Sequence, residues 1–188
     1  MKKNFTFELP KWLQEMNLNL EKEFSDEEKM ELAISLSKRN IEELTGGPFG
    51  AAIFNIKTNQ LLSVGVNIVV PGNWSCGHAE MVAFSIAHAT LNTYDLSLKG
   101  NYALYTSSEP CVMCLGGTIW SGVKEIVCAT RHDDIQKIGF DEGPKPHNWV
   151  EELENRGINV RRDFMRSEAV KVLNQYATCG GTIYNAEH

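Results

Sequence analysis

Two short runs of the chain hold residue types that bind metals and move protons. His78-Ala79-Glu80 is the first and Pro110-Cys111-Val112-Met113-Cys114 the second. A cysteine pair at i, i+3 on a helix puts both thiols on one face. Two thiolates and one imidazole make three ligands of a tetrahedral zinc site, with one zinc per chain. No further Cys or His stands beside either run in a ligand spacing, so the fourth position is left to water. Two thiolates cancel the charge of the ion. Such a metal is a poorer Lewis acid than one held by three imidazoles, and its water needs help to lose a proton. Glu80, two residues after His78, points away from the ligand direction and is placed to take that proton and hand it on.

The elements that must position these residues are two apolar helices. From Gly77 to Leu91 the one carboxylate is Glu80, and from Cys111 to Gly122 there is no charged residue. Helices apolar on nearly every face are buried, and a lone carboxylate on one is costly without a partner or a task. One strand, Tyr102 to Thr106, separates them, so a right-handed crossover lays them side by side with both N-termini at one sheet edge. His78 and Cys111 are each expected in a first helical turn, where the free amides and the dipole favour a thiolate.

Around this pair the chain alternates. Ser25-Asp26-Glu27-Glu28 is a capping box that opens a helix ending at Gly46-Gly47-Pro48. Ala51 to Ile56 and Leu61 to Asn67 read as a hairpin. Val66 to Cys76 reads as a loop and Asp133 to Pro146 as a polar stretch rich in Gly and Pro. Lys124 to Ala129 and Ile158 to Arg162 are further strands; Trp149 to Asn155 and Ser167 to Ala177 are further helices. The pattern predicts an α/β layered domain over residues 25–188 with an N-terminal arm over 1–24.

Composition narrows the function classes. The 188 residues are 43% apolar, ordinary for a folded domain, and carry 18 Lys and Arg against 24 Asp and Glu, a net charge of −6. That balance disfavours a nucleic-acid partner, since such domains are usually basic. Lys11 and the acids Glu8 and Glu15 interrupt any apolar leader, and no run of about 18 apolar residues exists, so neither a signal peptide nor a membrane partner is expected. Five cysteines are too few for a disulfide scaffold. A cytoplasmic protein is the expectation.

His78-Ala79-Glu80 followed about 30 residues later by Pro110-Cys111-Val112-Met113-Cys114 resembles the signature of the zinc-dependent cytidine deaminase superfamily. Either run alone is a weak or moderate signal; both in order, each opening an apolar helix, are specific. Within the superfamily the chain looks most like the bacterial guanine deaminases. The segments that carry this are Gly46 to Gly50, Thr106 to Pro110, the Trp120-Ser121-Gly122-Val123 turn and Ile138 to Pro144. The resemblance runs from about Ser25 to the C-terminus and does not include the arm. It implies a three-layer α/β/α fold with a mixed five-stranded sheet, a homodimer that exchanges C-terminal segments, and a purine base as the small-molecule partner. It implies His78, Cys111 and Cys114 as zinc ligands and Glu80 as the proton shuttle. It places Asn67 on the bound base, the Ala79 amide on a ring carbonyl, and Phe49 and Phe140 near the base plane. Glu142 is implied as a second carboxylate at the guanine edge. Its neighbour Asp141 is the alternative, and repulsion between the two is expected to make one titrate late.

Each assignment has a plainer reading. The metal set is a structural knuckle if a fourth protein ligand closes it. Glu80 is a helix-start charge, Asn67 a turn residue, the two phenylalanines core, and Glu142 a solvated loop charge. Tyr184 and Asn185 either fray or reach a partner's pocket. The activity implied is hydrolysis of guanine to xanthine and ammonia, part of purine catabolism. The rival substrates are a guanine nucleoside, an aminotriazine, cytosine and, with the charge against it, tRNA adenosine. A zinc-stabilised interaction module is the non-enzymatic rival.

Overall fold

The capping box forms as the sequence predicts. In the computed structural model, which describes residues 6–185, the Ser25 Oγ accepts from the Glu28 amide at 3.3 Å. The Glu28 carboxylate accepts from the Ser25 amide at 2.8 Å. The helices are α1 (Lys11–Gln14), α2 (Asp26–Glu42), α3 (Val69–Gly72), α4 (Ala79–Leu91), α5 (Val112–Ser121), α6 (His132–Lys137), α7 (Trp149–Glu154) and α8 (Arg166–Thr178). The strands are β1 (Gly50–Asn55), β2 (Leu61–Val66), β3 (Tyr102–Ser108), β4 (Glu125–Thr130) and β5 (Asn159–Arg161). Two expectations are corrected here. The segment from Val66 to Cys76 is not all loop, because Val69–Gly72 coils into one helical turn. The polar stretch from Asp133 contains α6, whose Asp134 carboxylate accepts from the Arg131 amide and so starts a helix that apolar periodicity does not show.

The sheet has five strands in the order β2-β1-β3-β4-β5. β1 is antiparallel to both β2 and β3, while β3, β4 and β5 are parallel. Alternate residues of each strand feed opposite layers, as a period of two requires. Phe54, Tyr105 and Val127 face α2 and α8 with Met30, Ala33 and Leu173. Ile53, Leu104 and Ile126 face the other layer with Ala83, Leu115 and Leu153. β1 and β3 are therefore covered on both faces, and the fold is the three-layer α/β/α sandwich with a mixed five-stranded sheet. Residues of the arm join the first layer: Trp12 and Leu13 are buried there, with Phe7 and Leu9 packed beside them. Among the described residues no helix is long and apolar enough to cross a membrane.

This topology sets where a site can form. β2 and β3 run the same way, since each is antiparallel to β1. The helix that follows β2 and the helix that follows β3 therefore start at one sheet edge, the carboxyl edge where open α/β sheets place ligands. Gly65 lets α4 lie close, because a Cβ there would meet the Ala79 carbonyl oxygen. At the same edge β1 begins just after Phe49, β2 ends just before Asn67, and β3 ends just before Glu109.

Candidate active site

His78 and Cys111 stand one residue outside their helices, as the N-caps of α4 and α5, rather than in the first turns that the sequence suggests. Proline before Cys111 and an extended backbone at both residues end the strand connections and turn the side chains inward. The His78 Nδ1 lies 3.5 Å from the Cys111 Sγ and 3.6 Å from the Cys114 Sγ. Zinc bonds of about 2.3 Å to sulfur and about 2.05 Å to nitrogen at tetrahedral angles give nitrogen–sulfur edges of about 3.6 Å. The three donors thus fit a tetrahedral zinc site by chemistry and by spacing, and among the described residues they form the one cluster able to hold a metal. The three residues the sequence singles out as ligands, His78, Cys111 and Cys114, are thus brought together as a potential zinc site.

The charges around the triad are displaced from their ordinary values. A hydrogen bond from Cys114 and one from His78 push the Cys111 thiol down to about 4 against its burial. Burial tends to lower the His78 imidazole, but the hydrogen bond and charge of Cys111, with Glu80 and Glu142 nearby, hold it above the usual value. Glu80 is buried at the first turn of α4, and burial followed by the Cys111 charge pushes it up to about 7. A carboxyl poised near neutrality both takes and gives a proton, which is what a shuttle needs.

A cavity of about 290 Å³ opens onto the triad. Phe49, Asn67, His78, Glu80, Phe140 and Glu142 all line it, together with Cys111. Its size lies at the lower end of small-molecule pockets, about 300–1,000 Å³, and suits a group the size of one base. The Asn67 carboxamide oxygen accepts from the Gly47 amide at 3.4 Å and the Val69 amide at 3.3 Å. Its Nδ2 is left as the donor on the cavity side. Phe49 and Phe140 meet edge to face at 5.2 Å and make one wall. Ala79 is buried as the first residue of α4 and is not among the residues lining the cavity.

Glu142 and Asp141 both line the cavity, but they differ in burial. Glu142 is buried in its wall, whereas Asp141 is exposed at its rim and its Oδ1 accepts from the Gly143 amide. Glu142 is pushed up to about 8 by burial, then by the charges of Cys111 and Glu80. A late-titrating carboxyl is therefore present, but repulsion from Asp141, the expected cause, is not among its main causes. The loop holding Glu142 is pinned to the ligand segment by three links. The Val112 amide donates to the Glu142 carbonyl at 3.0 Å. The Lys145 Nζ reaches the Glu109 carboxylate at 3.4 Å and the Pro110 carbonyl at 3.1 Å. Glu109 is itself gripped by Arg162 at 2.6 Å.

Sequence reasoning missed Glu109, Lys145 and Arg162. A buried carboxylate directly before Pro110-Cys111 was the available signal; its cations come from 36 and 53 residues away and leave none. Tyr184 and Asn185 line the pocket of their own chain, where the Asn185 side chain bonds the Asp141 amide and the Gly139 carbonyl and Tyr184 packs on Phe140. The basic pair Arg161-Arg162 is occupied internally, by Asp26 and Glu109.

Comparison with known proteins adds an independent line. The family model described as the cytidine and deoxycytidylate deaminase zinc-binding region matches residues 24–130. The guanine deaminase of Bacillus subtilis (strain 168) is 37% identical over 110 residues, 58% of this chain and 67% of that protein. The solved structure of the guanine deaminase from Nitrosomonas europaea is 44% identical with a TM-score of 0.90, covering 95% of this chain and 99% of that one. Another solved structure, in complex with 2,6-diaminopurine, is 48% identical with a TM-score of 0.81, covering 86% of each chain.

Proposed function

The chain belongs to the cytidine and deoxycytidylate deaminase zinc-binding family, and within it we propose that this protein hydrolyses guanine to xanthine and ammonia. The observation that carries the reading is a pair of buried carboxyls, Glu80 and Glu142, facing one base-sized cavity beside a three-donor zinc set. Similarity to guanine deaminases at 37% and 44% identity supports the substrate.

His78, Cys111 and Cys114 would hold zinc, which would lower the pKa of a water and so provide the nucleophile for C2 of the base. Glu80, once ionised, accepts one proton from the attacking water and delivers it to the ring nitrogen N3; it then accepts the second from the hydroxyl on C2 and passes it toward the departing amine, which leaves as ammonia. Glu142, still protonated near neutrality, has one oxygen to accept from N1–H of the guanine edge and one O–H to relay a proton to the amine nitrogen, once C2 is tetrahedral and that nitrogen's lone pair is free. Asn67 Nδ2 donates to an acceptor on the base, the Ala79 amide donates to a ring carbonyl, and Phe49 and Phe140 hold the ring plane. The balance is guanine plus water giving xanthine plus ammonia.

The wider reading is a cytoplasmic homodimer acting in purine breakdown, with residues 1–24 as an arm on a domain of 25–188; exchange of the C-terminal segment in that dimer would carry Tyr184 and Asn185 from their own pocket to the partner's. Helix α5 supports a second copy: it has no charged residue, and Trp120 and Val112 are exposed on it. An ammonia-release screen over guanine, guanosine, cytosine, adenine and aminotriazines tests the substrate. Release from guanine alone is the expected result; release from another base alone overturns it. A tRNA substrate is disfavoured because Arg161 and Arg162, the evident basic pair, are paired with acids.

A further inference from the structure

Asn40 is a polar side chain with no exposure, set in α2 on the layer opposite to the zinc ligands. Such a group is costly unless every donor and acceptor is used, and here they are. Its Nδ2 donates to the Asn67 carbonyl at 2.8 Å and to the Gly47 carbonyl at 2.9 Å. Those two carbonyls belong to the two segments that bring Asn67 and Phe49 to the cavity. Gly46 permits the approach, because a Cβ there would overlap the Asn67 carbonyl oxygen. Asn67 and Gly47 also bond directly, Gly47 N–H to Asn67 Oδ1. Asn40 therefore staples together two walls of the pocket.

The carboxamide of Asn40 does this only in one orientation, and the N-terminal arm fixes it. Trp12 Nε1 donates to the Thr45 Oγ1 at 2.9 Å, and the Thr45 hydroxyl donates to the Asn40 Oδ1 at 2.8 Å. The donor direction is consistent from indole to hydroxyl to amide to the two wall carbonyls, and each bond polarises the next. Trp12 is itself held, buried beneath the Arg39 guanidinium at 4.8 Å. A second arm contact braces the far side of the same loop: Phe7 stacks on Trp74 at 5.1 Å, and Trp74 lies between Asn67 and His78. Phe7 and Trp12 both lie before residue 24, where the family match begins.

We propose that the N-terminal arm is a positioning element for the base pocket, in which Trp12, through Thr45 and Asn40, sets the place of Asn67. The inference rests on the reading of that pocket as the base site. Asn67 grips the base without moving protons, so its displacement weakens ground state and transition state alike.

The test uses full-length, zinc-loaded protein with Trp12→Phe, Thr45→Val and Thr45→Ser. Trp12→Phe deletes the indole bond to the Thr45 hydroxyl, Thr45→Val deletes that bond and the hydroxyl's own bond to Asn40, and Thr45→Ser restores the hydroxyl. For guanine, Trp12→Phe is expected to raise KM roughly 5–10-fold, the weight of one buried hydrogen bond, and Thr45→Val by at least as much. kcat should stay within about twofold, and Thr45→Ser should return KM to the wild-type value. Hydrogen exchange is read alongside: in Thr45→Val the Gly47 and Val69 amides, both bonded to Asn67 Oδ1, should lose protection. A lower melting temperature with KM unchanged would make the relay ordinary packing and overturn the proposal, as would a fall in kcat larger than the rise in KM. If Thr45→Val does not fold, Trp12→Phe carries both readouts. If the wild-type protein releases no ammonia from guanine, the functional reading fails by itself, and exchange at Gly47 and Val69 still decides the relay: unchanged protection overturns it.

Discussion

Replacing Glu142 by Gln tests the division of labour between the two carboxyls. Glutamine keeps the shape, a donor and an acceptor, and removes the proton that can be released. Glu80 is pushed up to about 7 and Glu142 up to about 8, so the state with the first ionised and the second protonated peaks between them. A carboxyl at its ordinary value near 4.5 would be almost wholly ionised at neutral pH, so burial is what keeps a proton on Glu142 there. The wild-type profile of kcat against pH should therefore be bell-shaped, rising as Glu80 loses its proton and falling as Glu142 does. With zinc bound, the Cys111 charge that pushes both groups upward is offset, so both limbs move to lower pH together and keep their order. In Glu142→Gln the alkaline limb should vanish, the acid limb should remain, and guanine turnover should fall roughly 10²–10³-fold at unchanged zinc content. The assay is ammonia release from guanine between pH 5.5 and 9.5, at about unit steps or finer, with the metal measured on the same sample. Asp141→Asn, at the exposed neighbour, should leave the profile intact. Near-normal turnover with the alkaline limb still present in Glu142→Gln would refute the assignment and leave Glu142 a wall residue.

Three other outcomes follow from the same geometry. Glu80→Gln should retain zinc and lose at least about 10²-fold in turnover, the scale of a general acid–base group; near wild-type activity in a zinc-loaded variant refutes the shuttle. Cys111→Ala or Cys114→Ala should lose most of the metal and melt at lower temperature, because both residues are buried in the packing of α5, and full occupancy measured by elemental analysis rejects the ligand set. Asp134 is held below the usual carboxylate range by its two bonds from Arg166, so the stability it contributes is present above about pH 4 and is lost as pH falls through the folded value. Arg166→Met should flatten that acid limb in urea unfolding between about pH 3 and 6, and an unchanged slope counts against the pair.

What the sequence discloses here depends on how far a residue's partner lies along the chain. The ligand triad and Glu80 are legible because a metal site demands fixed atom types at helical spacing, and both runs open helices whose lack of charge marks them as buried. The hairpin and the three helix-bearing crossovers are legible as alternating strands and helices, although no strand order is read from them. Helix α6 is hidden because Asp133, Asp134, Gln136 and Lys137 outnumber its apolar residues, and it is the Asp134 cap that makes it. The short turn at Val69–Gly72 is hidden because Pro71-Gly72 reads as a break. The Glu109–Lys145–Arg162 cluster and the Asn40 staple leave no local pattern, since each unites residues that only tertiary folding brings together.

That difference also separates chemistry from recognition. His78, Glu80, Cys111 and Cys114 stand at the starts of helices whose places are fixed by apolar packing on the sheet, with α4 seated against Gly65. A rigid scaffold suits them, because proton transfer and ligation tolerate errors of only a fraction of an ångström. Asn67, Phe49 and Glu142 stand on connecting segments instead, and loops are the elements that vary most between relatives. Here each such segment is tied back by a buried polar group outside the reaction, Asn40 for the first two and Lys145 for the third. Changes at these ties should alter which base is held, and how tightly, before they alter how fast a held base reacts. Substrate differences within a fold that keeps one zinc set are then to be sought in the partners of such loops, where the ligand residues themselves carry no information.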